Sequence, residues 1–315
     1  MTAPTRAPTA AEPGRRTALL ALVGLLGVTA AWGSTFFLLK DTVERVPVAD
    51  FLGVRFAVAA AVVTLLAPRA VLRLSAAERR AGLVLGLLYG LAQLLQTAGL
   101  RTTSASVSGF LTGTYVVLTP LFGALLLGAR VGRTAWAAVA LSTVGLGVLS
   151  LQGLAVGGGE ALTLASAALY ALHILGLGRW SRGGRALGLT VVQLWVVAGV
   201  CLLGAVPGGV ALPARADDWA VLLYMAVVAG AAALVVQTRA QAHLSAERAA
   251  IIMTMEPVSA GGFAVALGGE VLGPRVLVGG TLVLAAMYLV ELGPRAPGEQ
   301  GVAVEVGGVP HVGPV

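Results

Sequence analysis

The residues best placed to do chemistry in this chain are Glu256 and Pro257, a carboxylic acid beside a proline within a long apolar segment. A proline inside a helix removes the hydrogen bond to the carbonyl four positions earlier, here that of Met253, and bends the helix. An ionisable carboxyl beside such a bend is costly in hydrocarbon, so we expect it to face a cavity or a partner, where it could exchange a proton during transport. The alternative is a structural carboxyl that hydrogen-bonds to the bend and stabilises it.

Two further ionisable side chains lie within predicted membrane segments. Arg55 can attract an anionic group, pair with Glu256 or Asp50, or extend its charged end to the outer interface, and the last is the preferred interpretation. His173 invites a proton-relay role, because imidazole titrates near neutral pH. A lone histidine without a partner nearby in sequence is interpreted first as a packing or hydrogen-bonding residue.

The uncharged candidates are aromatic rings, amides and a second proline. Trp32 and Tyr115 are predicted to lie deep enough to line a cavity that binds an amphipathic solute. Gln96 and Gln237 favour hydrogen bonding between helices, with contact to a solute as the alternative. Pro120 is expected to bend a second helix, as Pro257 bends the first.

The elements that must position these residues are long apolar segments. The chain is 57% hydrophobic and 11% charged, with a mean hydropathy of +0.91, which leaves too few charges to cover a soluble domain of 315 residues. Each segment is long enough for a helix to cross about 30 Å of hydrocarbon. The ten predicted spans are 17–39, 50–67, 82–100, 104–127, 134–152, 160–178, 188–206, 217–237, 245–268 and 273–292.

Helical spans are expected because lipid offers no hydrogen-bond partner to an unpaired backbone group. The 43 glycines fit helices that approach one another closely within a membrane. The predicted fold class is therefore an all-α integral membrane protein with ten transmembrane helices.

The ten spans form two copies of five. Gln96 and Gln237 are separated by 141 positions, and Trp32 and Tyr170 by a similar interval. An odd number of spans per copy places the second copy in the opposite sense, as in the inverted repeats of secondary transporters. The predicted organisation is a disordered tail at 1–16, a first five-helix repeat at 17–152, a second at 160–292 and a disordered tail at 293–315.

The prolines break this symmetry. Pro120 lies 16 residues after Ser104, whereas Pro257 lies 12 residues after Ser245. One proline is therefore displaced by about one helical turn. This spacing predicts that the two halves bend at different depths.

The net charge of +7 is explained by its distribution, without a nucleic-acid partner. With the N-terminus inside, the inner loops hold far more arginines than the outer loops, which predicts that both termini are cytoplasmic. A composition rich in alanine, glycine and arginine, with a single lysine, is typical of a high-GC bacterium and indicates its plasma membrane.

The sequence limits the cofactors that the chain can use. Cys201 is the one cysteine, so neither an intramolecular disulfide nor a cysteine-based metal site is possible. A phosphate-binding GxxxxGK[ST] loop is absent, so the chain itself does not drive transport with ATP. We expect no cofactor and no metal.

The residues resemble the EamA family of the drug/metabolite transporter superfamily over positions 17–292. One departure is Ala129-Arg130 after span four, where family members often have Gly-Glu. The motifs that carry the resemblance are Ala31–Phe36, Arg55-Phe56, Gly109–Pro120, Leu244–Ala249, Glu256-Pro257 and Gly269-Glu270.

The resemblance implies a secondary transporter that moves amino acids, other metabolites or drugs, with export as the expected direction. The solute would bind between the halves, and alternating access, with or without coupling to protons, would carry it across the lipid bilayer. Two other classes stay open: a lipid-modifying enzyme embedded in the membrane, and an accessory protein that does not transport. The oligomeric state is left open between monomer and homodimer.

Overall fold

The structure is a computed structural model that describes part of the chain in detail. The described residues are 15–128, 132–152, 155–180, 186–233, 236 and 252–292.

Helices make up nearly all of this part. There are also two 3₁₀ turns, Val71–Arg73 and Val206–Gly208, and one π-helical segment, Tyr224–Ala232. The helices are α1 Arg15–Arg45, α2 Val48–Leu66, α3 Ala76–Leu100, α4 Ala105–Gly113, α5 Tyr115–Leu127, α6 Arg133–Ser150, α7 Gly158–Trp180, α8 Ala186–Ala205, α9 Ala216–Leu223, α10 Glu256–Ala266 and α11 Pro274–Leu292.

Helix α3 shows the inverted amphipathy of a membrane segment. Leu83, Leu87 and Leu91 recur every four residues on one face and are 49%, 46% and 45% exposed. The opposite face buries the polar Gln93 and Thr97. A helix that exposes leucines and buries a polar amide is favourable in hydrocarbon and unfavourable in water. This arrangement therefore fits a helix whose outer solvent is lipid.

Six helical stretches of the described chain are long and apolar enough to cross a membrane. They are α1, α2, α3, α4 with α5, α7 and α8, and two shorter apolar helices correspond to α6 and α11. These eight agree with predicted spans one to seven and ten. Span eight is represented by α9 with its π segment, and span nine by residues from 252 onward.

Several helices of the first predicted half pack against the corresponding helices of the second half. Helix α2 packs on α8, α6 on α11, and α4 on α10, each pair joining corresponding spans. The packing of α3 on α8 is matched by that of α2 on the π segment, and that of α1 on α10 by that of α4 and α5 on α7. The contacts therefore follow a pseudo-twofold pattern.

Glycine permits the close approach of helices across these pairs. A Cβ added to Gly86 of α3 would meet Val196 of α8 at 2.6 Å, and one added to Gly109 of α4 would meet Ala260 of α10 at the same distance. Small residues at such crossings are typical of helices that associate within a membrane.

The structure differs from the predicted spans at three places. Span four is divided at Thr114 into α4 and α5, and span eight contains the nine-residue π segment. The connection between the two predicted halves holds a two-residue antiparallel ladder, Leu151–Gln152 with Ala155–Val156. The fold is thus helical apart from this ladder within the described residues.

Candidate functional site

Polar side chains meet where α2, α3, α4 and α7 come together, so both halves contribute to one site. The Arg55 guanidinium donates to Gln93 Oε1 at 3.5 Å, and Gln93 Nε2 donates to the Tyr170 hydroxyl at 2.7 Å. That hydroxyl donates to Gln96 Oε1 at 2.9 Å, and Gln96 Nε2 donates to Thr112 Oγ1 at 3.0 Å. We call this continuous chain of hydrogen bonds the central network.

Helix α3 supplies the central network through residues on one face. Tyr89, Gln93 and Gln96 follow one another at spacings of four and three residues, which places them above one another. Gln93 is buried, whereas Tyr89 and Gln96 keep partial accessibility although their face is turned towards other helices. Partial accessibility on an inward face indicates open space between the helices.

Aromatic rings surround the network. The ring of Tyr89 lies 5.9 Å from that of Phe56, 5.8 Å from that of Tyr170 and 5.2 Å from the imidazole of His173. Tyr115 approaches Tyr170 edge-on at 6.4 Å. These separations are those of favourable aromatic contacts, and the rings offer an apolar wall beside the amides.

Arg55 lies inside the helix bundle. The residue is only 8% exposed, and its Cζ atom lies 4.7 Å from the centroid of the Phe56 ring. The preferred interpretation, an arginine that extends to the outer interface, is therefore wrong. Pairing with Asp50 is not observed either, because Asp50 Oδ2 accepts a hydrogen bond from the backbone N–H of Ala211 at 2.8 Å.

Glu256 begins helix α10, next to the same aromatic rings. The turn at Thr254–Met255 precedes it, and Pro257 occupies the second helical position, where a missing N–H is tolerated. The charges of Glu256 and Arg55 both act on the hydroxyls of Tyr89 and Tyr170, so the two ionisable groups share one region.

Glu256 as a residue is partly accessible, and within the described part of the chain its carboxyl makes no hydrogen bond or ion pair. The alternative of a hydrogen-bonded structural carboxyl is therefore not what the structure shows. A carboxyl at a helix N-terminus is favoured electrostatically by the helix dipole while remaining free to bind a proton or a solute.

The breaks in spans four and nine lie at corresponding positions. The N–H of Thr114 bonds to Leu111 O at 3.2 Å, and the N–H of Met255 bonds to Ile252 O at 3.0 Å, so each break is a turn tightened to a three-residue spacing. Thr114 and Met255 are separated by 141 positions, the interval between Gln96 and Gln237. These breaks are separate from the bends expected at Pro120 and Pro257, so different bending depths at the two prolines stay a prediction.

Pro120 lies inside α5, beyond the break. It removes the donor for the carbonyl of Val116, and the helix continues through it to Leu127. The hydroxyl of Thr119 donates to Tyr115 O at 2.7 Å, which satisfies another carbonyl of the same turn. Pro120 therefore accompanies the interruption of span four without marking its position.

Trp32 and His173 have partners on neighbouring helices. Trp32 Nε1 donates to Ala229 O of the π segment at 2.7 Å, because a π-helical turn releases carbonyls from the ordinary ladder. His173 Nε2 lies 2.7 Å from Gln193 Oε1 of α8. The hydrogen-bonding interpretation of His173 agrees with this contact, and Trp32 is partly accessible beside the π segment.

Gln237 lies outside the described residues, so its hydrogen bonding between helices stays a prediction. Gln96 forms hydrogen bonds to side chains of two other helices, which agrees with its favoured interpretation. Among the residues described, no group of three or more histidine, cysteine or acidic side chains is placed to hold a metal ion.

Sequence reasoning did not predict the hydrogen-bonding roles of two residues. Tyr170 links Gln93 to Gln96, and its signals in the sequence were its aromatic side chain and its correspondence to Trp32 in the repeat. Glu270, noted within the Gly269-Glu270 motif, binds across the halves: its carboxylate accepts from the N–H of Ala105 at 2.7 Å and from Ser106 Oγ at 2.5 Å.

Comparison with known proteins decides the family. The model of the EamA-like transporter family matches residues 19–151 and again residues 157–292. The chain belongs to the EamA-like transporter family. It is therefore a multi-pass membrane protein and a membrane transporter, and residues of both matched segments contribute to the central network.

Two relatives are consistent with this membership. An uncharacterized transporter of Archaeoglobus fulgidus is 29% identical over 279 residues, which cover 87% of this chain and 86% of the relative. One solved crystal structure shares the fold of this EamA-like chain with a TM-score of 0.61 at 17% identity, and the match covers 85% of this chain and 96% of that one.

Proposed function

We propose that the protein is a secondary transporter that exports small organic solutes from a bacterial cell across the plasma membrane. The central network carries the proposal, because hydrogen-bonding side chains from both halves converge in the interior of an apolar helical bundle. Buried polar groups are expensive in a membrane protein and are retained where a solute or ion must pass.

The proposed architecture is ten spans in two inverted repeats with both termini in the cytoplasm. The pseudo-twofold packing of the helices and the two family matches support it. Alternating access then consists of rocking of the halves about the network, and the breaks at Thr114 and Thr254–Met255 provide places where the helices can bend. We propose that either a monomer or a homodimer carries out this cycle.

Orientation is tested with impermeant thiol labelling. Replacing Cys201 removes the one native cysteine, which is buried. In that background we expect Arg101→Cys to be labelled in intact cells and Arg73→Cys only after the membrane is permeabilised. Both residues are exposed, so accessibility to the reagent depends on the side of the membrane. The reverse pattern would contradict the proposed orientation.

Proton coupling is proposed to use Glu256. Glu256 is a partly accessible residue within electrostatic range of the Tyr89 and Tyr170 hydroxyls, and its carboxyl has no hydrogen-bonding partner within the described residues. A group in that condition can bind a proton in one conformation and release it in another at little structural cost.

The decisive experiment is transport by the purified protein in liposomes. A panel of amino acids, organic acids and amphipathic drugs is offered with and without a pH gradient, and protein-free liposomes serve as the control. We expect at least one solute to accumulate, with a greater rate when a gradient is imposed. If no solute moves or exchanges under any condition, the transport proposal fails and the accessory-protein alternative is favoured.

A further inference from the structure

Arg55 is a buried cation that uses little of its hydrogen-bonding capacity among the described residues. A guanidinium carries five N–H donors and is charged at any pH a cell encounters. Within the described part of the chain it forms one hydrogen bond, to Gln93 Oε1, and at 3.5 Å this contact lies at the outer limit for such a bond. The residue is nonetheless 8% exposed.

No carboxylate of the described chain compensates this charge. Asp50 is the acid nearest in sequence, and its side chain is bonded to the backbone of Ala211. Glu256 shares the region, yet it forms no ion pair with Arg55. A buried charge without a counterion is costly, and a ligand of opposite charge would compensate it.

The surroundings of Arg55 match one class of ligand. The planar guanidinium fork binds a carboxylate through two parallel hydrogen bonds, which a hydroxyl or an amide does not reproduce. Phe56 stacks near the guanidinium, and Tyr89 and Tyr170 continue the aromatic wall. Beside those rings lie the amides of Gln93 and Gln96.

We propose that Arg55 binds the carboxylate of the transported solute, which is a small organic acid with an apolar or aromatic body. The body packs against Tyr89 and Tyr170, and the Gln93 amide orients the guanidinium. This assignment rests on the proposed transport function, because the acid is the cargo. Arg55 then determines specificity by rejecting neutral analogues of the same shape.

Binding can be measured without transport. The purified protein in detergent is heated with rising concentrations of benzoate or benzamide, and of hexanoate or hexanamide, and the apparent Tm is followed. Each pair differs in charge and little in shape. We expect the two carboxylates to raise Tm and their amides to leave it unchanged, with benzoate binding more tightly than hexanoate because the wall is aromatic.

Substitution separates Arg55 from general effects of charge. We expect Arg55→Gln to weaken benzoate binding by about 10- to 100-fold, the factor that corresponds to loss of a charged hydrogen-bonding partner. Arg55→Lys keeps the charge without the fork and should give an intermediate loss. Arg215→Gln is the matched control, because Arg215 is exposed and bonds only to Asp217 in the described chain; wild-type affinity is expected.

Equal stabilisation by benzoate and benzamide would overturn the assignment, as would undiminished benzoate binding in Arg55→Gln. If Arg55→Gln does not fold, Arg55→Lys decides: affinity equal to wild type overturns the proposal. Failure of the transport function has a different signature. In that case no solute moves in liposomes whatever binds in detergent, whereas transport of neutral solutes alone contradicts the role of Arg55 and leaves the transport function intact.

Discussion

Spans four and nine occupy corresponding places in the two halves, and each is interrupted at the same point of the repeat. Helix α5 begins with Tyr115 and helix α10 begins with Glu256, so the first residue after each break is a phenol in one half and a carboxylic acid in the other. Tyr115 contacts the ring of Tyr170, and Glu256 acts electrostatically on the same residue. One scaffold therefore presents two different chemistries to one site.

The difference shows that backbone interruption and chemical function are separable in this fold. Pro120 and Pro257 stand at different distances from their breaks, yet the breaks coincide. Packing between the two spans, where Gly109 meets Ala260 and Gly113 meets Pro257, holds the breaks together. The ionisable group could be added to one half without disturbing that arrangement.

The largest effect is expected at the residue that distinguishes the two spans. Glu256→Gln keeps the size of the side chain and removes its proton-binding carboxylate, so accumulation driven by a pH gradient should fall to the level of protein-free liposomes. Exchange of solute without a gradient should persist and shows that the variant is folded. Tyr115→Phe is the matched control at the corresponding position. Undiminished proton-driven accumulation in Glu256→Gln would remove it as the proton carrier.

Packing between the two spans is expected to give the next largest effect. In Gly109→Ala the added Cβ lies 2.6 Å from the Cβ of Ala260, a short rigid group that cannot move aside. We expect a loss of about 1–3 kcal/mol in unfolding from mixed micelles. Gly262→Ala in span nine meets nothing within 4 Å and should be neutral or slightly stabilising. Equal losses in both variants would mean that this crossing is not specifically packed.

Glu270 connects the two spans from the loop after α10. Its carboxylate caps the N-terminus of α4 through Ala105 and Ser106, so Glu270→Ala should cost about 1–2 kcal/mol in the same unfolding measurement. Glu270→Gln keeps an acceptor without the charge, so its stability should lie between that of the wild type and that of Glu270→Ala. Asp41→Ala, at an exposed position of α1, tests for a general effect of losing an acid. No difference between the Glu270 and Asp41 variants would argue against a stabilising cap.

The smallest effects are expected at the prolines, and they should differ between the halves. Pro120→Ala returns an N–H to the carbonyl of Val116 inside α5 and should stabilise the protein by about 1 kcal/mol. Pro257 stands at the second position of α10, where the N–H has no helical acceptor, so Pro257→Ala should change stability by less than about 0.5 kcal/mol. The opposite order of effects would show that Pro257 rather than packing determines the break in span nine.

Much of the fold follows from the sequence, because bilayer thickness imposes a length on every apolar segment. The boundaries of α2, α8 and α11 agree with their predicted spans within a few residues. The sequence also singled out Glu256, Arg55 and Tyr115 as candidates, and the structure places all three near Tyr170. The role of each candidate was harder to predict. Arg55 was assigned to the outer interface, because the position of a residue along a span does not show in which direction its side chain faces.

The sequence by itself determined the class of this protein, a helical membrane protein. The chain is apolar, consists of two related halves and has a few ionisable groups inside its spans. Only the tertiary structure decided which of those groups meet. The central network joins α3 to α7, the Glu270 carboxylate reaches α4, and Trp32 finds a carbonyl released by a π turn. Such partners depend on how each helix is rotated about its axis and on which neighbour it packs against. Those are properties of the assembled bundle, whereas hydropathy along the chain records only that each helix lies in lipid.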